Sequence, residues 1–350
     1  MNQKPFIKIG KRIVGPEYKP LIIPEIGINH NGSLETAFKI VDAAKKSGSE
    51  IIKHQTHIAE DEMIPEAKFI KPGNSKKNIF DIINNASLSE EDEFKLFKYV
   101  EKKSMIYLST PFSRASVDRL VKFGVKAFKI GSGECNNYPL IDYAASFKKP
   151  IILSTGMNSI NSVKPAVKIL KKYKIKYALL HCTNIYPTPP KLVRLFCIKE
   201  LKNSFKDAVI GLSDHTTSNF TAYGAISLGA SIIERHFTDT KKRPGPDISS
   251  SMDLKELKEL IQGSNTIYEA LIFRGKKKPI KEELKTIKFA YASVVSIKDI
   301  DKGEKLTKEN IWIKRPGTGD YLAKDFRKII GKIAKKKIKA NCLIKKSYIR

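Results

Sequence analysis

Two histidines are placed where they could share a metal ion. His215 ends the run Val209-Ile210-Gly211-Leu212-Ser213-Asp214-His215, and His236 ends Ile232-Ile233-Glu234-Arg235-His236. Each run is short, apolar and rich in β-branched residues, the pattern of a buried strand. A helix-like stretch, Asn219 to Leu228, lies between them. Neighbouring parallel strands would bring both imidazoles out at one sheet edge, a usual beginning for a divalent metal site. Taken singly, either histidine could instead cap a turn or sit in the core.

Lysines make the second signal. Lys53 and Lys129 interrupt apolar strand-like runs, Ile51–Thr56 and Phe128–Gly131. An unpaired buried ammonium is costly, so each must reach a solvated or paired position. Either lysine alone could be held by Glu25 or Glu134. Together, with hydroxyl or amide groups from Thr110, Ser132, Asn184 and Ser213 and the flexible Gly131 and Gly133, they outline a pocket for a small dianion, most simply a phosphate with a carboxylate. Glu25 and Glu134 are candidate general bases at the same mouth. Gln55 and Tyr186 supply neutral groups suited to a polyol. Asp247, in Arg243-Pro244-Gly245-Pro246-Asp247, could face a sugar hydroxyl or belong to a plain turn. His30, His54, His57 and His181 read as supporting or structural. This chemistry fits metal-assisted condensation of a phosphorylated acid with a carbonyl compound.

What positions these groups is a repeated unit: short strand, polar loop, amphipathic helix. Strands are expected at 21–28, 50–56, 105–110, 127–131, 151–155, 177–182, 209–212 and 231–236, with helices at 34–47, 90–103, 116–123, 138–147, 160–173, 219–228 and 254–270. Eight such units in about 250 residues match a TIM (β/α)8 barrel, whose functional residues gather at the strands' carboxyl ends. The first strand is not followed by the GxGxxG of a dinucleotide-binding sheet. The expected domains are a barrel over 1–272, a charged linker over 273–285, and a small β-rich unit over 286–350. A unit of that size has a marginal core of its own.

Composition narrows the partners. The chain has 350 residues, 65 Lys and Arg against 36 Asp and Glu, and a formal charge of +29. The excess is scattered lysine without an RNA- or DNA-binding motif, so nucleic acid is not expected. No membrane partner is expected, since no apolar run reaches the ~20 residues of a span. Four dispersed cysteines and a polar N-terminus point to a reducing cytoplasm.

The ordered set of segments resembles the bacterial sialic acid synthase family. It comprises Glu25–Gly32, Lys53–Thr56, Lys129–Glu134, Gly211–Thr216, Glu234–Thr238 and Arg243–Asp247. The tail, with Lys314-Arg315-Pro316-Gly317-Thr318-Gly319-Asp320, resembles that family's antifreeze-like (SAF) domain. The resemblance implies that phosphoenolpyruvate adds through C3 to the aldehyde of open-chain N-acetylmannosamine, polarised by a divalent ion, Mn or Mg. Water then attacks C2, and phosphate leaves by C–O cleavage to give N-acetylneuraminate. By matching positions, His215 and His236 would hold the metal. Lys53, Thr110, Lys129, Ser132, Asn184 and Ser213 would hold phosphoenolpyruvate. Glu25, Gln55, Tyr186 and Asp247 would face the sugar, with Glu134 a candidate base for water attack and Asn74 a substrate-binding residue at a further mouth position. Arg315 would contact the N-acetyl group across a domain-swapped homodimer. Phe196-Cys197 stands where the family commonly has a glycine pair. The alternative product is legionaminic or pseudaminic acid, from a 2,4-diacetamido-6-deoxyhexose. A binding module on an inert barrel is disfavoured by the intact lysines and histidines.

Overall fold

The structure, a computed structural model, describes residues 4–72, 76–273 and 275–350. It divides into two compact units, Met1–Phe273 and Arg274–Arg350.

The first unit opens with an antiparallel hairpin, β1 (Ile7–Ile9) and β2 (Arg12–Val14). Eight parallel strands follow: β3 (Leu21–Gly27), β4 (Ile51–Thr56), β5 (Ile106–Pro111), β6 (Phe128–Ile130), β7 (Ile151–Ser154), β8 (Tyr177–Cys182), β9 (Val209–Asp214) and β10 (Ile232–His236). Their order is β5-β4-β3-β10-β9-β8-β7-β6, and β5 lies against β6, so the sheet closes as a TIM barrel.

Alternation along each strand determines what the barrel holds. Successive side chains point to opposite faces. Leu21, Ile23, Ile51, Leu108, Ala127, Ile152, Ala178, Leu180, Val209 and Ile232 pack together inside the barrel with Ile7, Ile9 and Val14 of the hairpin. The next inward positions, toward the carboxyl ends, are polar: Glu25, Lys53, Thr110, Lys129, Ser154, Ser213 and Glu234. The outward residues form a larger core against the helices. An apolar lower barrel therefore supports a polar mouth.

Helices arise from local signals. Leu34–Lys46 begins at Ser33, whose side chain accepts from the Thr36 N–H. Arg114–Phe123 and Ile160–Lys172 begin with reciprocal serine capping boxes at Ser113 and Ser159. Short helices unassigned from sequence occur at Ala59–Glu62, Ile79–Ala86 and Cys197–Ser204. At the last, Arg194 takes a positive φ of 54° and Phe196 is left exposed at the helix start, so the Phe196-Cys197 departure is absorbed in a tight turn.

The second unit has an antiparallel pair, β11 (Ser293–Ser296) and β12 (Ile311–Lys314), over a core including Val294, Ile300, Leu306, Ile311 and Ile344. The end of the expected linker is helical: Leu284–Ala290 follows a turn at Lys281–Glu283. Among the described residues no helix is long and apolar enough to cross a membrane.

Candidate active site

The barrel mouth holds a cavity of about 270 Å³. Its centre is a buried charge cluster. Lys53 Nζ donates to a carboxylate oxygen of Glu25 and, at 3.1 Å, to Thr110 Oγ1. Lys129 Nζ donates to Ser154 Oγ at 2.8 Å and to the Ile130 carbonyl at 3.1 Å. Glu234 Oε1 lies between the two ammonium groups, 3.4 Å from Lys129 and 4.0 Å from Lys53, and accepts from Ser213 at 3.3 Å. Two lysines thus face two carboxylates. Burial holds Lys129 below the ordinary lysine pKa. Burial works to raise Glu25, but Lys53, His236 and Lys129 together carry it well below the carboxylate range, so it is ionised.

Register explains these meetings. Glu25 pairs across the ladder with Lys53 on one side and His236 on the other, and Gln55 pairs with Thr110. Gly27 has φ 47° at the end of β3, a left-handed conformation suited to glycine. It breaks the β3–β4 register and passes close to Gln55 and His236.

The histidines stand beside this cluster, ring centroids 5.4 Å apart, with His236 next to Glu25 across the ladder. His215 Nδ1 is 3.0 Å from the Thr183 carbonyl, an acceptor, so Nδ1 bears hydrogen, and in the neutral imidazole that leaves the Nε2 lone pair for a cation. A carbonyl orienting the far nitrogen is the usual support of a metal-bound imidazole. His236 lies with Nδ1 3.7 Å from Asp247 and Nε2 3.8 Å from Glu25. Its buried Nδ1 has no hydrogen-bond partner. The pair could hold a divalent cation. Among the described residues no group of three or more His, Cys, Asp or Glu is gathered for a metal, so such an ion would complete its shell from water or substrate. Tyr186 packs over His215 at 4.0 Å, and burial raises its pKa, keeping the phenol protonated.

Among the described residues, three buried polar atoms of the cavity lining have no hydrogen-bond partner: Asn184 Oδ1, Glu234 Oε2 and His236 Nδ1. Such atoms are costly to leave unsatisfied, and all three belong to side chains lining one cavity. Gly156 makes room beside them, because a Cβ there would sit 1.9 Å from Asn184 Oδ1.

Of the residues singled out from sequence, Glu25, Lys53, Gln55, Thr110, Lys129 and Ser132 line the cavity, as do Asn184, Tyr186, Ser213, His215, His236 and Asp247. Glu134 does not. The turn after Ser132 directs it to Asn137, whose Nδ2 donates to Glu134 Oε2 at 2.7 Å beside the start of helix Tyr138–Ser146. Asn74 lies outside the described residues. Arg315 belongs to the second unit. Among the lining residues not assigned to the site from sequence are Glu234 and His57. Glu234 is two positions before His236 on β10, so alternation alone puts both on the inner face. His57 also lines the cavity. His30 and His54 instead join Tyr107 and Glu93 in a buried network, and His181 Nε2 is 2.6 Å from the Val193 carbonyl.

Comparison with known proteins fits this geometry. Residues 40–277 match the NeuB family, and residues 291–350 match the SAF domain. The chain belongs to the NeuB family. This NeuB-family chain is 37% identical to N,N'-diacetyllegionaminic acid synthase of Campylobacter jejuni, over 93% of this chain and 99% of that protein. It is 33% identical to pseudaminic acid synthase of the same species, over 92% of this chain and 94% of that one. The crystal structure of N-acetylneuraminic acid synthetase from Leptospira borgpetersenii superposes with a TM-score of 0.74 at 29% identity, covering 81% of this chain and 95% of that one. The barrel with its C-terminal SAF domain is therefore that of a NeuB-family synthase.

Proposed function

We propose that this enzyme condenses phosphoenolpyruvate with N-acetylmannosamine and water, giving N-acetylneuraminate and phosphate. The observation that carries the reading is the buried Lys53–Lys129 pair at the barrel mouth, in one cavity with two imidazoles. A dianion entering beside the lysines meets two charge-assisted donors, with hydroxyls of Thr110, Ser132 and Ser213 nearby. His215 and His236 would hold Mn or Mg, and the ion would supply Lewis-acid polarisation of the sugar aldehyde.

In this scheme C3 of phosphoenolpyruvate bonds to the aldehyde carbon of the open-chain sugar. The aldehyde oxygen, left as an alkoxide, takes up a proton and becomes a hydroxyl. The C2 cation takes up water, which loses one proton to a base; as the C2–O bond breaks, phosphate leaves with the electron pair and the remaining hydroxyl proton, and C2 becomes a ketone. The lysines fix the phosphate and carboxylate in place and stabilise the departing phosphate's charge. Glu25, ionised within the cavity, is the base assigned to the proton, since Glu134 is turned toward Asn137. Gln55, Tyr186 and Asp247 face the sugar. The apolar lower barrel closes the floor of the cavity. The proposal includes a cytoplasmic homodimer with Arg315 of the partner subunit at the N-acetyl group. Sedimentation equilibrium tests the dimer, which requires twice the monomer mass.

A second reading is supported by the Campylobacter jejuni relatives: the same condensation on a 2,4-diacetamido-6-deoxyhexose, giving legionaminic or pseudaminic acid. Product analysis with each sugar, phosphoenolpyruvate and Mn decides. Turnover of N-acetylmannosamine alone supports the first reading, and turnover of the diacetamido sugar alone replaces it with the second.

A further inference from the structure

A line of hydrogen bonds runs from the rim of the barrel to Glu25. Gln55 Nε2 donates to Glu25 Oε1 at 2.7 Å, and Gln55 Oε1 lies 3.0 Å from His57 Nε2. His57 Nδ1 lies 3.0 and 3.1 Å from the two carboxylate oxygens of Glu62. The imidazole is buried, and Phe112 stacks on it with centroids 4.2 Å apart and planes 15° from parallel. The helix Ala59–Glu62 that carries Glu62 is itself anchored, because Asp61 Oδ2 accepts from the Ala115 N–H at 3.1 Å.

The donor and acceptor ends of Gln55 are forced. An ionised carboxylate only accepts, so Gln55 must turn its NH2 toward Glu25. Its carbonyl oxygen then faces Nε2 of His57, while Nδ1 faces the Glu62 carboxylate. The ring is held at both ends, and Phe112 fixes its plane.

Glu25 sets which end of the Gln55 amide faces it, but one bond does not fix the plane of the amide. The second contact, of Gln55 Oε1 with His57 Nε2 at 3.0 Å, holds it from the other end. Lys53 and Gln55 both bond Oε1 of Glu25, which leaves Oε2 directed to the His236 side of the cavity. We propose that His57, braced by Glu62, is a positioning residue: it locks the Gln55 amide and thereby sets which oxygen of Glu25 meets the sugar. This rests on the reading of Gln55 and Glu25 as sugar-end residues.

The test is steady-state phosphate release by the full-length enzyme, using phosphoenolpyruvate, Mn and the amino sugar that turns over. His57→Ala should lower kcat/KM for the amino sugar by about 10- to 100-fold, the usual effect of removing an orienting partner, while the KM for phosphoenolpyruvate stays within about twofold. His57→Gln, which keeps an amide donor near the Nε2 position, should recover part of the loss. Glu62→Ala, which leaves the imidazole in place, should show a smaller loss in the same parameter, and it serves if His57→Ala does not fold. Gln55→Ala is the comparator, and His57→Ala added to it should cost nothing more. If Gln55→Ala impairs use of the amino sugar while His57→Ala and Glu62→Ala do not, positioning is overturned and the sugar-end reading stands. If Gln55→Ala itself leaves the amino-sugar kinetics unchanged, the sugar-end reading falls and positioning falls with it. Equal losses for both substrates in His57→Ala would also overturn the proposal.

Discussion

Replacing Lys129 by methionine separates its electrostatic role from its packing. The side chain is 2% exposed, so methionine fills nearly the same space. What is lost is the bond to Ser154 at 2.8 Å, the bond to the Ile130 carbonyl at 3.1 Å, and the ion pair with Glu234 at 3.4 Å. Glu234 then keeps only Ser213 at 3.3 Å and Lys53 at 4.0 Å, while its Oε2 already has no partner. Removing one partner of a buried pair costs about 3–5 kcal/mol. At about 2–4 °C per kcal/mol for a domain of this order, the barrel's melting temperature should fall on the order of 10 °C. Lys129→Met/Glu234→Gln removes both charges and should regain much of that stability without regaining activity. On the proposed reading, each charge-assisted bond from Lys129 to phosphoenolpyruvate would contribute about 1.5–3 kcal/mol, so the single variant's KM for it should rise about 10- to 150-fold. Calorimetry and phosphate-release kinetics read both quantities. A Lys129→Met enzyme with an unchanged melt and an unchanged phosphoenolpyruvate KM would refute the reasoning.

His236→Ala should abolish turnover while leaving the barrel's melting transition in place, because the imidazole's Nδ1 contributes no hydrogen bond to the fold; wild-type activity in this variant would count against the metal assignment. Gly156→Ala should cut activity by about tenfold or more with little change in melting. Its Cβ would displace the side-chain ends of Asn184 and Ser132 rather than backbone; normal kinetics would show that Asn184 is not needed where it stands. Burial holds His30 down to about 3 from the ordinary 6.5. Between those values the unfolded chain takes up a proton that the folded chain refuses, so stability falls as pH is lowered from 6.5 toward 3. The contribution is about 1.4 kcal/mol per pH unit. Urea titrations of wild type and His30→Gln at pH 6 and pH 4 should show a shallower fall in the variant; equal falls would mean His30 is not the group responsible.

Much of this was legible because period-2 alternation is a local property. Lys53 with Gln55, and Glu25 with Gly27, share a face by spacing alone, and the barrel then brings the strands' carboxyl ends together. The same rule reaches Glu234 from His236, although its bridging position between two lysines depends on ladder register, which no single strand encodes. Glu134 illustrates the opposite case. It follows the strand end by several residues, where a turn rather than the pleat sets direction, and Asn137 holds it aside. The helices Ala59–Glu62 and Ile79–Ala86 were missed because they are shorter than the window in which a helical period shows. His57 looked structural because its function depends on Glu62 and Phe112, which come from a neighbouring short helix and from the end of another strand.

The most direct test of the central claim is the fate of the oxygen that bridges C2 and phosphorus in phosphoenolpyruvate. The enzyme would be supplied with Mn, either amino sugar, and phosphoenolpyruvate carrying a heavy-oxygen label at that bridge. Condensation by C–O cleavage predicts that the label appears in the released phosphate, with one keto sugar acid formed per phosphate. Label retained in the sugar acid, or no phosphate released with either sugar, would contradict the account.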